Sequence, residues 1–152
     1  MNLNRLLLLA LIAAGGAATY WAIMPRAAPD PGHSITSPNV NGLPQGAPIA
    51  EVALPPELTA DAQMGKRAYE AKCAACHGAN AAGQNGVAPP LVHKLYEPGH
   101  HSDMAFIMAA KNGVRAHHWQ FGNMPPVKGV TDGEVKLIVR YVRELQEENG
   151  IF

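Results

Sequence analysis

The chain has 152 residues, 47% of them hydrophobic, with twelve basic and twelve acidic side chains in balance. That length allows one domain with an appended segment, but not two sizeable cores. The charge balance excludes a nucleic-acid binder that works by neutralising phosphates. Two cysteines, three positions apart, exclude both a multi-disulfide scaffold and a four-cysteine zinc site.

Residues 6–24 carry no charge and follow a lone Arg5. As a helix they span about 28 Å, close to the thickness of a bilayer's hydrocarbon core. An uncleaved membrane anchor and a cleaved signal peptide both fit this pattern. The length favours the anchor, with Tyr20 and Trp21 at the far interface. A cut after the small residues Gly16 and Ala18 is the alternative. Either reading exports the rest of the chain. Arg5 and Arg26 flank the segment equally, so the positive-inside count leaves its orientation open.

Residues 25–57 hold eight prolines and three glycines without a helix-forming run. Such a stretch buries too little apolar surface to offset its ordering entropy, which predicts an extended, mobile tether; a loop wrapped on the domain is the other reading. The domain proper then covers residues 58–152, with ten basic and nine acidic side chains. Thr59 is placed to cap a helix running to about Lys72, with Asp61 favouring its dipole. Ser102-Asp103 opens a second helix that stops at Asn112-Gly113. Thr131 and Glu134 form a capping-box pair ahead of a third helix, in which Val135, Ile138, Val139, Val142 and Leu145 share a face with Tyr141 beside it. Between the helices lie Gly- and Pro-rich loops with no alternating pattern. The fold class is all-α, with long loops that must wrap something.

The first helix runs into Cys73-Ala-Ala-Cys-His77. This C-x-x-C-H spacing is the attachment signature of a c-type haem: two thiols one helical turn apart reach the porphyrin vinyls, and the adjacent histidine is carried under the iron. A thioredoxin-like redox pair would need surrounding strands, and a zinc site would need a second ligand pair. One covalent haem supplies the core that the loops would wrap.

With these residues in place the sequence resembles the class I, mono-haem cytochrome c family, in a membrane-anchored bacterial form. Gly65 and Tyr69 precede the motif as they do in that family, where the glycine allows the terminal helices to cross closely. Gly83, Gly86 and Ala88-Pro89-Pro90-Leu91 follow it, and Gly122-Asn123-Met124-Pro125-Pro126 is similar to the segment that delivers a distal methionine. The resemblance covers roughly residues 59–147. It implies a small fold of three to five helices around one haem, with thioethers at Cys73 and Cys76 and iron ligated by His77 and Met124. It also implies a carbonyl of Pro89 or Pro90 orienting the His77 ring, with Pro90 packing on the haem.

Among the six methionines only Met124 lies in a Pro-stiffened loop after the second helix; Met104 and Met108 read as core residues packing on the haem. Trp119 and Arg115 are candidates to bind a haem propionate, although ordinary loop packing explains them equally. His93 reads as a surface loop residue. The pairs His100-His101 and His117-His118 read as solvated side chains, with a peripheral copper or zinc site or a replacement distal ligand as alternatives. The expected function is electron transfer at the bacterial inner membrane by a single-pass protein whose haem domain lies in the periplasm. Its expected partners are a quinol-oxidising complex and a terminal oxidase or periplasmic reductase. A haem subunit of a larger oxidoreductase complex, or a haem enzyme with a labile distal ligand, are the competing readings.

Overall fold

A computed structural model of the chain describes residues 37 and 39–152. The predicted anchor at 6–24 and the start of the Pro-rich segment lie outside the described residues. Four α-helices occur among them: α1 (Ala60–Lys72), α2 (Ala74–His77), α3 (Asp103–Asn112) and α4 (Asp132–Glu148). Short 3₁₀ turns at Ala79–Ala81 and Lys94–Tyr96 shape the loop between α2 and α3. Strand pairing among the described residues is limited to two isolated bridges, Gln84 with Ala88 and Val114 with Met124. No described helix is long and apolar enough to cross a membrane.

Thr59, Thr131 and Gly113 fix helix ends as the sequence suggests, whereas Ser102 precedes α3 without a side-chain capping bond. The Thr59 hydroxyl accepts from the Ala62 N–H at 3.3 Å. Thr131 and Glu134 satisfy each other's orphan N–H groups in a complete capping box. Gly113 ends α3 at φ +75°; a side chain there would also meet the Met124 carbonyl, since a Cβ would sit 2.6 Å from it.

The core forms where α1 crosses α4. At Gly65 an added Cβ would lie 1.9 Å from the Leu137 carbonyl oxygen, so the two backbones touch directly. Around this crossing Ala62, Tyr69, Ile138, Tyr141, Val142 and Leu145 are almost fully buried. The Tyr69 and Tyr141 rings pack at 5.5 Å, tilted by 55°. A second cluster, Ile107 and Ala110 of α3 against Val135 and Val139 of α4, seats the middle helix.

Two expectations need correction. From Asn39 onward, the Pro-rich segment is not the free tether that its composition predicts. Gly46 N–H donates to the Asn85 carbonyl at 2.9 Å and Asn85 N–H to that of Ala47 at 2.8 Å. Ile49 and Ala50 both donate to the Ala82 carbonyl. The Asn149 carboxamide closes a reciprocal pair with the Ala53 backbone, 2.9 Å each way. Backbone hydrogen bonding to the domain offsets the ordering cost that apolar burial alone would not meet. His93, read as a surface residue, is half-buried: its Nδ1 accepts the Leu95 N–H at 3.1 Å and its ring meets Trp119 edge-on at 5.7 Å.

Candidate haem-binding site

Cys73 sits at the junction of α1 and α2 with φ −119° and ψ −34°, and its carbonyl accepts the N–H groups of both Cys76 and His77. The motif is thus wound into a single turn. Both cysteines are free thiols; Cys73 is partly buried and Cys76 exposed. Burial, reinforced by the neighbouring Cys76, pushes the Cys73 thiol up to about 11.

His77 is buried, and its Nδ1 lies 2.9 Å from the Pro89 carbonyl oxygen. A carbonyl only accepts, so Nδ1 carries the proton and Nε2 keeps its lone pair. Burial holds the imidazole below its usual range, against the opposing pull of the Pro89 carbonyl. The neutral, oriented ring is therefore the resting form.

The loop behind the motif is closely fitted. Gly83 N–H donates to the His77 carbonyl at 2.8 Å, and a Cβ on Gly83 would lie 2.4 Å from the Pro90 nitrogen. Pro90 itself is fully buried. The Gln84 carboxamide reaches back to the carbonyls of Ala74, Ala75 and Cys76 at 3.3, 2.9 and 3.1 Å, so one side chain caps the whole turn. The Tyr69 hydroxyl donates to the Gly78 carbonyl at 2.8 Å, and that of Tyr141 reaches Asn80 Oδ1 at 3.3 Å. Asn80 and Ala81 hold left-handed conformations at φ 52° and 60°; for the buried Ala81 this strain is locked by Leu91 N–H donating to its carbonyl at 2.9 Å.

The Met124 segment is fixed by its backbone. Met124 and Val114 exchange N–H···O bonds of 2.9 Å each way, Val127 N–H donates to the Ala110 carbonyl, and the Asn123 side chain accepts from Ala116 N–H at 2.9 Å. Met124 is partly buried. Met104 and Met108 stand outside the protein core at 58% and 48% exposed, while Ile107 and Ala110 occupy the buried face of α3. Arg115 is exposed in the loop after the Val114 bridge.

Trp119 is buried with its ring stacked on Phe121 at 5.5 Å. Its indole Nε1 has no hydrogen-bond partner among the described residues. The Tyr96 hydroxyl is near enough for the indole N–H to oppose the burial that pushes that phenol up to about 12, but not in hydrogen-bonding geometry. A buried donor left this way costs about 1–3 kcal/mol; an anionic acceptor arriving with a ligand removes the cost.

A family model for cytochrome c matches residues 62–146, more than half of the chain. The chain belongs to the cytochrome c family. A search of curated proteins gives no match. Membership implies a covalently bound haem c and a role in electron transfer. The residues present in this cytochrome c fit that group: two free thiols on one turn, a buried imidazole with a free Nε2, a thioether on an immobilised loop and an unpartnered buried N–H.

Sequence reasoning missed Arg143. It is buried in α4, where periodicity suggests a solvated cation. Its guanidinium donates to the Tyr96 and His101 carbonyls, Gln146 Oε1 and Asp103 Oδ1, and it lies 5.0 Å from the Phe106 ring centroid. Gln146 is fully buried and donates to the Leu91 and Tyr96 carbonyls at 2.8 and 3.0 Å. These two side chains tie the loop after the haem motif to the terminal helix. An R-x-x-Q pair straddling an apolar helical face was the only available signal.

Proposed function

We propose that this cytochrome c is a membrane-tethered, periplasm-facing electron carrier with one haem ligated by His77 and Met124. The observation that carries this reading is the buried His77 ring, oriented by the Pro89 carbonyl at 2.9 Å with Nε2 left free. Cys73 and Cys76 would hold the porphyrin through thioethers, and the Gln84 cap keeps their turn rigid. Haem iron, when bound, supplies a one-electron couple. His77 would bind the iron through Nε2, and the hydrogen bond from Nδ1–H to the Pro89 carbonyl would raise the basicity of that nitrogen. Met124 would offer a soft, neutral sulfur as a second iron ligand, which would raise the reduction potential relative to a bis-histidine site. A loop pinned at Val114, Ala110 and Ala116 supports a ligand that stays in place, which favours outer-sphere transfer over catalysis at the iron. Trp119 Nε1 would donate to a propionate. Pro90 would form part of the haem wall, and Arg115 would approach a propionate from solvent.

The uncharged segment 6–24 supports the tether. Tethering replaces free diffusion with a confined search at high effective concentration. The partners are then a quinol-oxidising complex on one side and a terminal oxidase or periplasmic reductase on the other. The near-neutral domain favours an apolar haem-edge contact over strong electrostatic steering. Visible spectra of the purified ferric and ferrous protein test this. A low-spin spectrum with a weak far-red sulfur-to-iron band, lost in Met124→Ala, is expected; a high-spin spectrum, or one unchanged by Met124→Ala, refutes the ligation.

A further inference from the structure

The proposed electron carrier does not use the four histidines at 100, 101, 117 and 118. The sequence places them on two loops, and the structure brings all four rings together. The His117 and His118 centroids are 4.3 Å apart, and those of His100 and His101 4.8 Å. Between the loops, His100 and His101 lie 5.5 and 5.7 Å from His118, and His101 stacks on His117 at 6.3 Å. The ligand nitrogens of His100, His101 and His118 all fall within 4.8 Å of one another. His100 Nε2 and His118 Nε2 are 3.5 Å apart.

Two rings are oriented from behind. His101 Nδ1 lies 2.5 Å from the Leu95 carbonyl, and His117 Nδ1 lies 2.9 Å from that of Arg115. Each carbonyl fixes the proton on Nδ1 and leaves Nε2 as a lone-pair donor, the arrangement that orients histidines bound to a metal. The supporting backbone is fixed as well: Arg143 Nη2 donates to the His101 carbonyl and the Ser37 hydroxyl donates to that of His118. His100 is exposed while His101 and His118 are partly buried, so the cluster opens to solvent on one side.

We propose that His100, His101 and His118, with His117 as a fourth donor, form a binding site for a transition-metal ion of the copper–zinc class. Imidazole nitrogen suits Zn²⁺ and copper ions, whereas Mg²⁺ and Ca²⁺ demand oxygen. With metal–nitrogen bonds of about 2.0–2.1 Å, tetrahedral ligand nitrogens stand roughly 3.4 Å apart. The His100–His118 pair already has that spacing. The His101 nitrogen lies at most 4.8 Å from these two, and the His100 and His118 rings, which no carbonyl holds among the described residues, would turn to close that gap. His117 completes the set by turning its free Nε2 toward His118. The site is independent of iron ligation, although its loop continues through Trp119 to Met124.

Calorimetric titration of the haem-loaded full chain with Zn²⁺ alone, and separately with Cu²⁺ alone, tests the proposal. One saturable equivalent is expected for each ion, Cu²⁺ binding more tightly. The double variant His100→Ala/His118→Ala should lose at least tenfold in affinity for both ions while keeping the haem spectrum of the parent. Paramagnetic resonance of the Cu²⁺-loaded parent should show coupling to at least three nitrogens. Absence of saturable binding overturns the site, as does equal binding by the double variant, which would place the ion elsewhere, for example at His33. A double variant with an altered haem spectrum is replaced by His100→Asn alone, for which unchanged affinity is equally fatal.

Discussion

Replacing Gly65 by alanine should destabilise the domain, against the usual gain from putting alanine into a helix. The new Cβ would lie 1.9 Å from the Leu137 carbonyl oxygen and 2.5 Å from its carbon. Ordinary contact needs about 3.5 Å, so α1 and α4 must separate by roughly 1.5 Å at their crossing. Both obstructing atoms are backbone, so no side chain can swing aside. A gap of 0.5–1 Å already forfeits about a quarter to a half of the dispersion well, and the loss falls on the contacts of Tyr69, Ile138 and Val142. Overpacking of this kind costs about 1–3 kcal/mol or somewhat more, and the alanine returns about 1 kcal/mol of helix propensity. Because backbone obstructs the methyl at both atoms, that cost sits toward the upper end. The net expectation is a loss of about 1–2 kcal/mol, lowering Tm by roughly 4–16 °C for a domain of this size. Thermal unfolding of the haem-loaded protein, followed by far-ultraviolet circular dichroism, measures it. Gly133→Ala is the control: its Cβ would meet nothing closer than Thr131 Oγ1 at 3.9 Å, so it should be neutral or mildly stabilising. A Gly65→Ala protein as stable as the parent, or as stable as the Gly133→Ala control, would refute the close helix crossing.

Three further outcomes follow from the geometry. Trp119→Phe should lower the stability of the haem-loaded protein by about 1–2 kcal/mol in denaturant titration if Nε1 bonds a propionate, because a charged acceptor is then left unpaired; a neutral or stabilising result contradicts that role. Arg143→Ala strips the Tyr96 and His101 carbonyls of their donor and should cost about 3 kcal/mol or more, little of it from the Asp103 ion pair, since that carboxylate is largely exposed; a change below 1 kcal/mol would show that water replaces the guanidinium at no cost. Hydrogen bonds from the Thr131 N–H and hydroxyl hold the Glu134 carboxyl below its usual range, so the folded state binds its proton less readily than the unfolded chain. The stability difference between parent and Glu134→Ala should therefore be complete above the ordinary carboxylate range and shrink as pH falls through the lower folded value; a pH-independent difference contradicts the capping box.

What could be read from the sequence was local. The caps at Thr59 and Thr131, the stop at Gly113 and the apolar face of α4 each depend on residues within one or two turns. C-A-A-C-H is equally local, because one helical turn contains both thiols and the imidazole. The missing parts are contacts between segments far apart in the chain. Arg143 looks like a surface cation until the Tyr96 and His101 carbonyls are brought beside it. Gln84 is an ordinary loop residue until the chain folds it under the α2 carbonyls. Residues 39–56 read as tether because the hydrogen bonds that dock them on the domain go to Ala82, Asn85 and Asn149, far along the chain. The two histidine pairs read as solvated for the same reason: adjacency along the chain says nothing about the ring that arrives from the other loop.

The central claim is a haem held covalently at Cys73 and Cys76, and the intact mass of the purified full chain tests it most directly. The expected mass is that of the polypeptide, or of its processed form, plus one haem that survives denaturation and acid extraction. The bare polypeptide mass, or a haem that separates from the denatured chain, would contradict it.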